Sequence, residues 1–274
     1  MTEISVSSER TFNACLIIIG DEILSGRTKD RNLAFLAEWL NEEGIELKEA
    51  RVIPDDEDVI VRTVNECRAV FDYVFTTGGI GPTHDDITAD CISKAFKVDL
   101  EHHPDAVRAM TERVGADGMT EGRMRMTRVP AGGEIIRNPV SVAPGFRIGN
   151  VHVLAGIPDV MQAMLGTLKG EIRGGRKMLS RTMHAFAGES VIARTLDEVQ
   201  AAHDDLSIGS YPFYYEESYG ANLVLRARDA DLLARVYEEL RARLVEDGIR
   251  VGDGDAPTPE PEGPEPDSLS ARTS

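Results

Sequence analysis

The sequence predicts a doubly wound α/β fold, a mostly parallel sheet with helices on both faces, followed by a smaller α+β domain of ferredoxin-like type. Three observations predict it. Residues 15–19, Cys-Leu-Ile-Ile-Ile, form a continuous apolar run that ends at Gly20. That is the pattern of a strand buried on both faces of a parallel sheet. Strand-like and helix-like periods then alternate with short joints, as βαβ units require. After about residue 176 the order becomes strand, helix, two strands, helix, which resembles a split βαβ layer.

Each element follows in chain order. Residues 1–12 are polar and are expected to be a flexible N-terminus, with the first domain spanning 13–175. After the 15–19 strand comes a polar loop, then Leu33, Leu36, Ala37 and Leu40 at helical spacing, with Gly44 placed as the stop. Residues 45–53 read as a second strand. Asp55 and Asp58 stand ahead of a helix carrying Val59, Ile60, Val64 and Cys67. Residues 73–77 read as the third strand and 88–96 as the helix after it. The polar stretch 99–130 reads as a helical excursion from the sheet. Strands resume at 135–136 and 151–154, and Pro158 opens a further helix. In the small domain, 176–252, strands are expected at 182–187, 206–213 and 223–228, with helices at 189–203 and 230–246. From about residue 253 the chain is rich in Pro, Glu and Asp with almost no large apolar side chain, so a disordered tail is expected.

Composition narrows the function. A net charge of −17 opposes nucleic-acid binding, because phosphate backbones are held by clustered Lys and Arg. No apolar run approaches the roughly 18 residues of a membrane span. The three cysteines, Cys15, Cys67 and Cys91, suit neither a disulfide framework nor a zinc site and read as reduced core thiols. The expected location is the cytoplasm.

Three loops carry candidate chemistry, each following a strand. The strongest is TTGGIGPTHDDIT, 76–88, between a strand and a helix. Gly78, Gly79 and Gly81 permit close backbone approach to a ligand. The helix N-terminus offers N–H donors to phosphate. Thr77, Thr83 and Thr88 add hydroxyls, Pro82 shapes the turn, and Asp85 and Asp86 offer carboxylates for Mg²⁺ or for orienting a nucleophile. The loop has no lysine, so it is not a P-loop, and His84 stands where a dinucleotide fingerprint needs a third glycine. The second loop holds Gly20, Asp21, Glu22, Ser25, Gly26, Asp30 and Asn32. The third is Pro54-Asp55-Asp56. Spacing alone leaves Asp55 and Asp86 equally readable as helix caps. Arg123, Arg125, Arg128 and Arg137 flank a later loop, and one of them can reach a phosphate. Tyr211, Phe213, Tyr214, Tyr215 and Tyr219 cluster in the small domain, where ordinary packing is the expected role.

Taken together, GDEILSGRTKDRN, VIPDDEDVI and TTGGIGPTHDDITAD resemble the molybdopterin-binding domain of the MoaB/Mog type. The version most similar is that of the competence/damage-inducible protein A (CinA) family and of the N-terminal part of some FAD synthases. RMTRVPAGGEIIRNPVSVAPGF, VLAGIP and IGSYP extend the likeness over about residues 13–250. The resemblance implies a three-layer α/β/α domain with its pocket at the C-terminal edge of the sheet, and a homo-oligomer. It implies a molybdopterin or nucleotide ligand and Mg²⁺ or another divalent cation, with Asp55 and Asp86 catalytic. Relatives of this kind join pterin phosphate to AMP, or hydrolyse nucleotide pyrophosphates such as ADP-ribose or FAD. Two alternatives stand: a carrier or sensor without turnover, which Val140-Ser141-Val142 favours by departing from the family's usual Gly-Thr, and a molybdopterin adenylyltransferase, which the additional C-terminal domain opposes.

Overall fold

The computed structural model describes residues 10–215 and 218–256, with the side chains of 215 and 218 left aside. The expected tail from 257 onward and residues 1–9 lie outside those residues. The chain divides into two compact units, one ending at Lys177 and the other beginning at Met178.

The first unit is the doubly wound sheet. β1 (Phe12–Ile19) is followed by the one-turn helix α1 (Asp21–Leu24) and by α2 (Asn32–Glu42). Then come β2 (Ile45–Ile53), α3 (Glu57–Val70), β3 (Tyr73–Thr77) and α4 (Thr88–Phe96). The excursion contains β4 (Leu100–His102), α5 (Pro104–Val114), α6 (Glu121–Arg125) and β5 (Arg128–Pro130). The chain returns through β6 (Glu134–Ile136), β7 (Gly145–Ile148), β8 (Val151–Leu154) and α7 (Pro158–Thr167).

The main sheet runs β2-β1-β3-β8-β7-β6. Its first four strands are parallel, and β7 and β6 are antiparallel to their neighbours. Alternate residues of β1 feed two cores. Ala14, Leu16 and Ile18 pack under α2 and α7 with Phe75 and Leu154. Cys15, Ile17 and Ile19 pack under α3 and α4 with Val74 and Val153. This explains the unbroken apolar run: a strand covered on both faces has no solvent side. All three cysteines are buried and free.

The excursion is only partly helical, a correction to the sequence reading: β4 and β5 pair antiparallel within it. Three-residue strands lie below the length at which alternation is detectable.

The second unit contains β9 (Leu179–Ala185), α8 (Glu189–Ala201), β10 (Leu206–Tyr215), β11 (Ser218–Ala227), α9 (Ala230–Glu246) and β12 (Val251–Asp253). Its sheet order, β10-β11-β9-β12, is antiparallel throughout and places β11 between β9 and β10, as a split βαβ requires. The unit runs past the expected end at 252. Asp253 accepts a hydrogen bond from the Tyr237 hydroxyl at 2.8 Å, and buried Ala256 donates its N–H to Asn222. The aromatic cluster is another correction. Phe213 packs edge-on to Phe186, but Tyr211, Tyr214 and Tyr219 are exposed rather than packed.

Among the described residues no helix is long and apolar enough to cross a membrane.

Candidate ligand site at the carboxyl edge of the main sheet

The parallel strands end flush. Ile19 is in register with Ile53, Ile18 with Thr77, and Thr77 with Leu154. Strand order reverses between β1 and β3, because β1 leads outward to β2 whereas β3 leads toward β8. Ligands of open α/β sheets bind at such a switch point. The three candidate loops leave the sheet here.

The glycine loop is shaped by contact with its neighbours. Gly78 and Gly79 have φ of 105° and 66°, which a side chain rarely adopts. A Cβ on Gly78 would lie 2.1 Å from the Ile19 carbonyl, and one on Gly79 would lie 2.3 Å from Thr88 Oγ1. The loop is pinned to α4 by Thr88, whose hydroxyl donates to the Gly78 carbonyl at 3.0 Å and whose N–H donates to Gly79 at 3.0 Å. Thr88 is thus a buried brace, not the ligand-facing hydroxyl expected from the sequence. Gly79, Ile80 and Gly81 donate their N–H to no protein acceptor among the described residues.

Asp86 and Asp55 are both displaced from capping roles. Asp86 Oδ2 accepts from Thr83 N–H at 2.8 Å and from Thr83 Oγ1 at 2.5 Å, closing the loop. The cap position of α4 is Ile87, with no side-chain cap. Asp56, not Asp55, caps α3 by accepting from Val59 N–H at 3.0 Å. Asp55 is left to reach across to the first loop, where its Oδ2 accepts from Asp21 N–H at 3.0 Å. Burial is the main reason the Asp55 carboxyl is held above the usual carboxylate range. The charges of Asp21, Glu22 and Asp85 push the same way, against the Asp21 N–H bond. Carboxylates from three loops therefore share one electrostatic neighbourhood.

Other candidates have structural work. Asp30 braces the start of α2 by accepting from the N–H groups of Asn32 and Leu33. Buried Asn32 donates from Nδ2 to the Gly156 carbonyl at 2.8 Å, and its Oδ1 has no partner among the described residues. Thr76 and Thr77, at the end of β3, are buried, and their hydroxyls likewise have no partner among the described residues. Ser25 Oγ donates to the Glu22 carbonyl at 3.3 Å, and Gly20 N–H ties β1 to Ile53 of β2. Gly26, Pro82, Thr83 and Asp85 are exposed, as is His84.

A cleft opens on the α4 side of the glycine loop. It is lined by Gly79, Ile80, Gly81 and Asp86 together with Arg125, Arg128, Pro144 and Phe146. The loop carrying Pro144 is organised by Asn138, which spacing alone did not single out. Its Oδ1 accepts from the N–H groups of Val140 and Ser141, and its Nδ2 donates to Ser141 Oγ and the Ala143 carbonyl. That network holds Val142 at φ 60°, a strained conformation for a β-branched residue. The Asn138-Pro139 pair is a turn signal that pointed to it.

The residues present suit a divalent cation only in part. No group of three or more His, Cys, Asp or Glu side chains converges as a ligand set among the described residues. They suit Mg²⁺ of the kind that one or two carboxylates share with ligand phosphates, not a resident metal caged by protein.

The strand order and the glycine loop at the switch point define an open α/β ligand-binding domain. Residues 15–173 match the family described as "Probable molybdopterin binding domain", and the chain belongs to that family. Residues 177–252 match "FAD synthase, middle domain". Protein TK1472 of Thermococcus kodakarensis is 33% identical over 251 residues, covering 86% of this chain and 97% of its own. A "Probable FAD synthase" of Caenorhabditis elegans is 28% identical over 257 residues, 84% of this chain, which spans only 50% of that relative. The crystal structure of "the protein CinA with unknown function" from Thermoplasma acidophilum shares 34% identity and a TM-score of 0.56, over 59% of this chain and 98% of that one.

Proposed function

We propose that the chain binds a phosphorylated pterin or nucleotide at this edge and hydrolyses a nucleotide pyrophosphate of the ADP-ribose or FAD type with a divalent cation. The observation that carries the reading is the run of three unspent N–H donors, Gly79 to Gly81, lining a cleft beside Asp86. Successive unpaired backbone donors form an anion-binding concavity. They would hold phosphate oxygens without the lysine of a P-loop. Asp86, fixed through one oxygen by Thr83, keeps the other to orient a metal or water. Asp55, with its carboxyl held above the usual range, suits proton acceptance better than an ordinary aspartate. Bound Mg²⁺ would neutralise phosphate charge and acidify a coordinated water.

Incubating the pure protein with FAD, ADP-ribose, NADH and ATP, each with Mg²⁺, Mn²⁺ or Co²⁺, tests the proposal through release of AMP. Tight binding without AMP from any substrate would replace it with the carrier or sensor reading. The commitment of one Asp86 oxygen to Thr83 is the observation that favours that second reading. Pterin adenylylation is a third possibility, read from AMP transfer onto a pterin phosphate. The proposal extends to a cytoplasmic protein that self-associates, which sedimentation equilibrium would check.

A further inference from the structure

Two arginines stand in the wall of the cleft, and their circumstances differ. The Arg128 fork is spent on Asp90, with Nη1 to Oδ1 at 3.1 Å and Nη2 to Oδ2 at 2.8 Å. Its charge is compensated where it lies. Among the described residues Arg125 has one protein acceptor, the Thr83 carbonyl, 2.6 Å from Nη1, and no ion pair. A carbonyl is neutral, so Arg125 brings an unpaired positive charge to the glycine loop of a chain whose net charge is −17. Of the other two arginines of the segment, Arg123 donates to the Gly118 carbonyl, and neither Arg123 nor Arg137 lines the cleft.

We propose that Arg125 is the cation that recognises phosphate in this cleft. The inference rests on the reading of the cleft as a phosphate site and names the side chain that makes it selective. Thr83 fixes the geometry. Its carbonyl accepts from Arg125 while its N–H and hydroxyl donate to Asp86, so one residue sets the cation and the carboxylate against each other across the loop. The guanidinium keeps donors beyond the one given to Thr83, and a planar fork matches two phosphate oxygens. Among the apolar side chains of the lining, Ile80 and Met126 are partly exposed and can offer surface to a ring. The cleft is shallow, with an enclosed volume of about 10 Å³, roughly one water. A phosphate would therefore seat at its mouth, and the rest of a nucleotide would lie over the sheet edge.

The test is calorimetric titration of the full chain with ADP-ribose at low and high NaCl. R125Q should weaken binding by on the order of tenfold to a hundredfold, the loss expected for charge-assisted hydrogen bonds. It should also flatten the dependence of affinity on salt, which a residue that merely shapes the loop would not do. R125K should recover part of the affinity and most of the salt dependence. R123Q, on the same short helix but outside the cleft, should leave both unchanged. Unchanged affinity in R125Q, or weaker binding with the wild-type salt dependence, overturns the assignment and leaves the phosphate site standing. Failure of the wild type to bind ADP-ribose overturns both.

Discussion

Asp55 and Asp86 stand where helix caps are expected, and neither is one. Spacing could not tell Asp55 from Asp56, because capping is decided by backbone angles: Asp56 has the extended φ of −118° and ψ of 126° that a cap needs. The carboxylate freed by that one-residue difference faces other carboxylates. Folding raises its pKa, so its contribution is favourable when protonated and is lost as pH rises through the carboxylate range. Ionising Asp55 therefore works against folding. Asp55→Asn keeps an oxygen for Asp21 N–H and removes the charge, so it should melt at or above the wild-type temperature at pH 7 while metal-dependent turnover falls. Calorimetry and AMP release check the two halves, and a drop of several degrees would mean the charge is structural. Asp86→Asn likewise keeps an acceptor for Thr83. It should melt within a few degrees of wild type yet lose roughly a hundredfold or more of turnover, because the charge that orients the metal or water is gone. Full turnover in Asp86→Asn would reduce Asp86 to a loop brace. Gly79→Ala is a poorer probe of the ligand, since its new Cβ would strike Thr88 and disturb the start of α4 whether or not anything binds.

At the scale of elements, the cap of α3 separates the two neighbouring aspartates by experiment. Asp56→Ala removes the acceptor for Val59 N–H and should cost about 1 kcal/mol. For a unit of this size that is about 2–4 °C in melting temperature. The loss should appear in Asp56→Ala but not in Asp55→Asn, and equal losses would mean that both carboxylates hold the helix. The long elements were legible because their periods are strong. α4 lies at 88–96 and α9 at 230–246, as their spacing predicts. The missed elements are short or interrupted. β7 carries Arg147 in a four-residue strand, β12 is Val-Gly-Asp beside an acidic stretch, and α1 is one turn inside a polar loop. The site divides in the same way. Loop glycines and acids announced themselves by type, whereas Thr88 braces the loop through a bond ten residues back, and the local turns of Asp30 and Asn138 show their bracing role only once the backbone angles are known.

On the scale of the whole molecule, two compact units with separate cores imply two stabilities, and acid should separate them. His152 lies in β8, buried, its ring stacked on Phe75 with centroids 5.0 Å apart and its Nδ1 unpartnered. Burial pushes its pKa down to about 4, and nearby Arg147 adds to the effect. A histidine whose folded pKa is depressed binds its proton first in the unfolded chain. Stability is therefore unaffected above about pH 6.5, falls as pH drops from there toward 4, and levels off below, for a total of about 3 kcal/mol. The second unit contains no comparable histidine among its described residues: His184 and His203 each have a ring nitrogen at 3.0 Å from an oxygen acceptor. Trp39, the only tryptophan, sits edge-on to Phe75 at 6.3 Å and reports the first unit alone. Urea midpoints followed by Trp39 fluorescence should fall between pH 6.5 and 4.5, and hydrogen exchange by peptide should show a smaller loss in residues 178–256. His152→Phe keeps an aromatic ring against Phe75 without a titrating nitrogen, so the difference from wild type isolates this group from carboxylates that titrate in the same range. The Trp39 midpoint of that variant should be nearly flat where the wild type slopes. If variant and wild type slope alike, the acid sensitivity of the first unit comes from other titrating groups and not from His152.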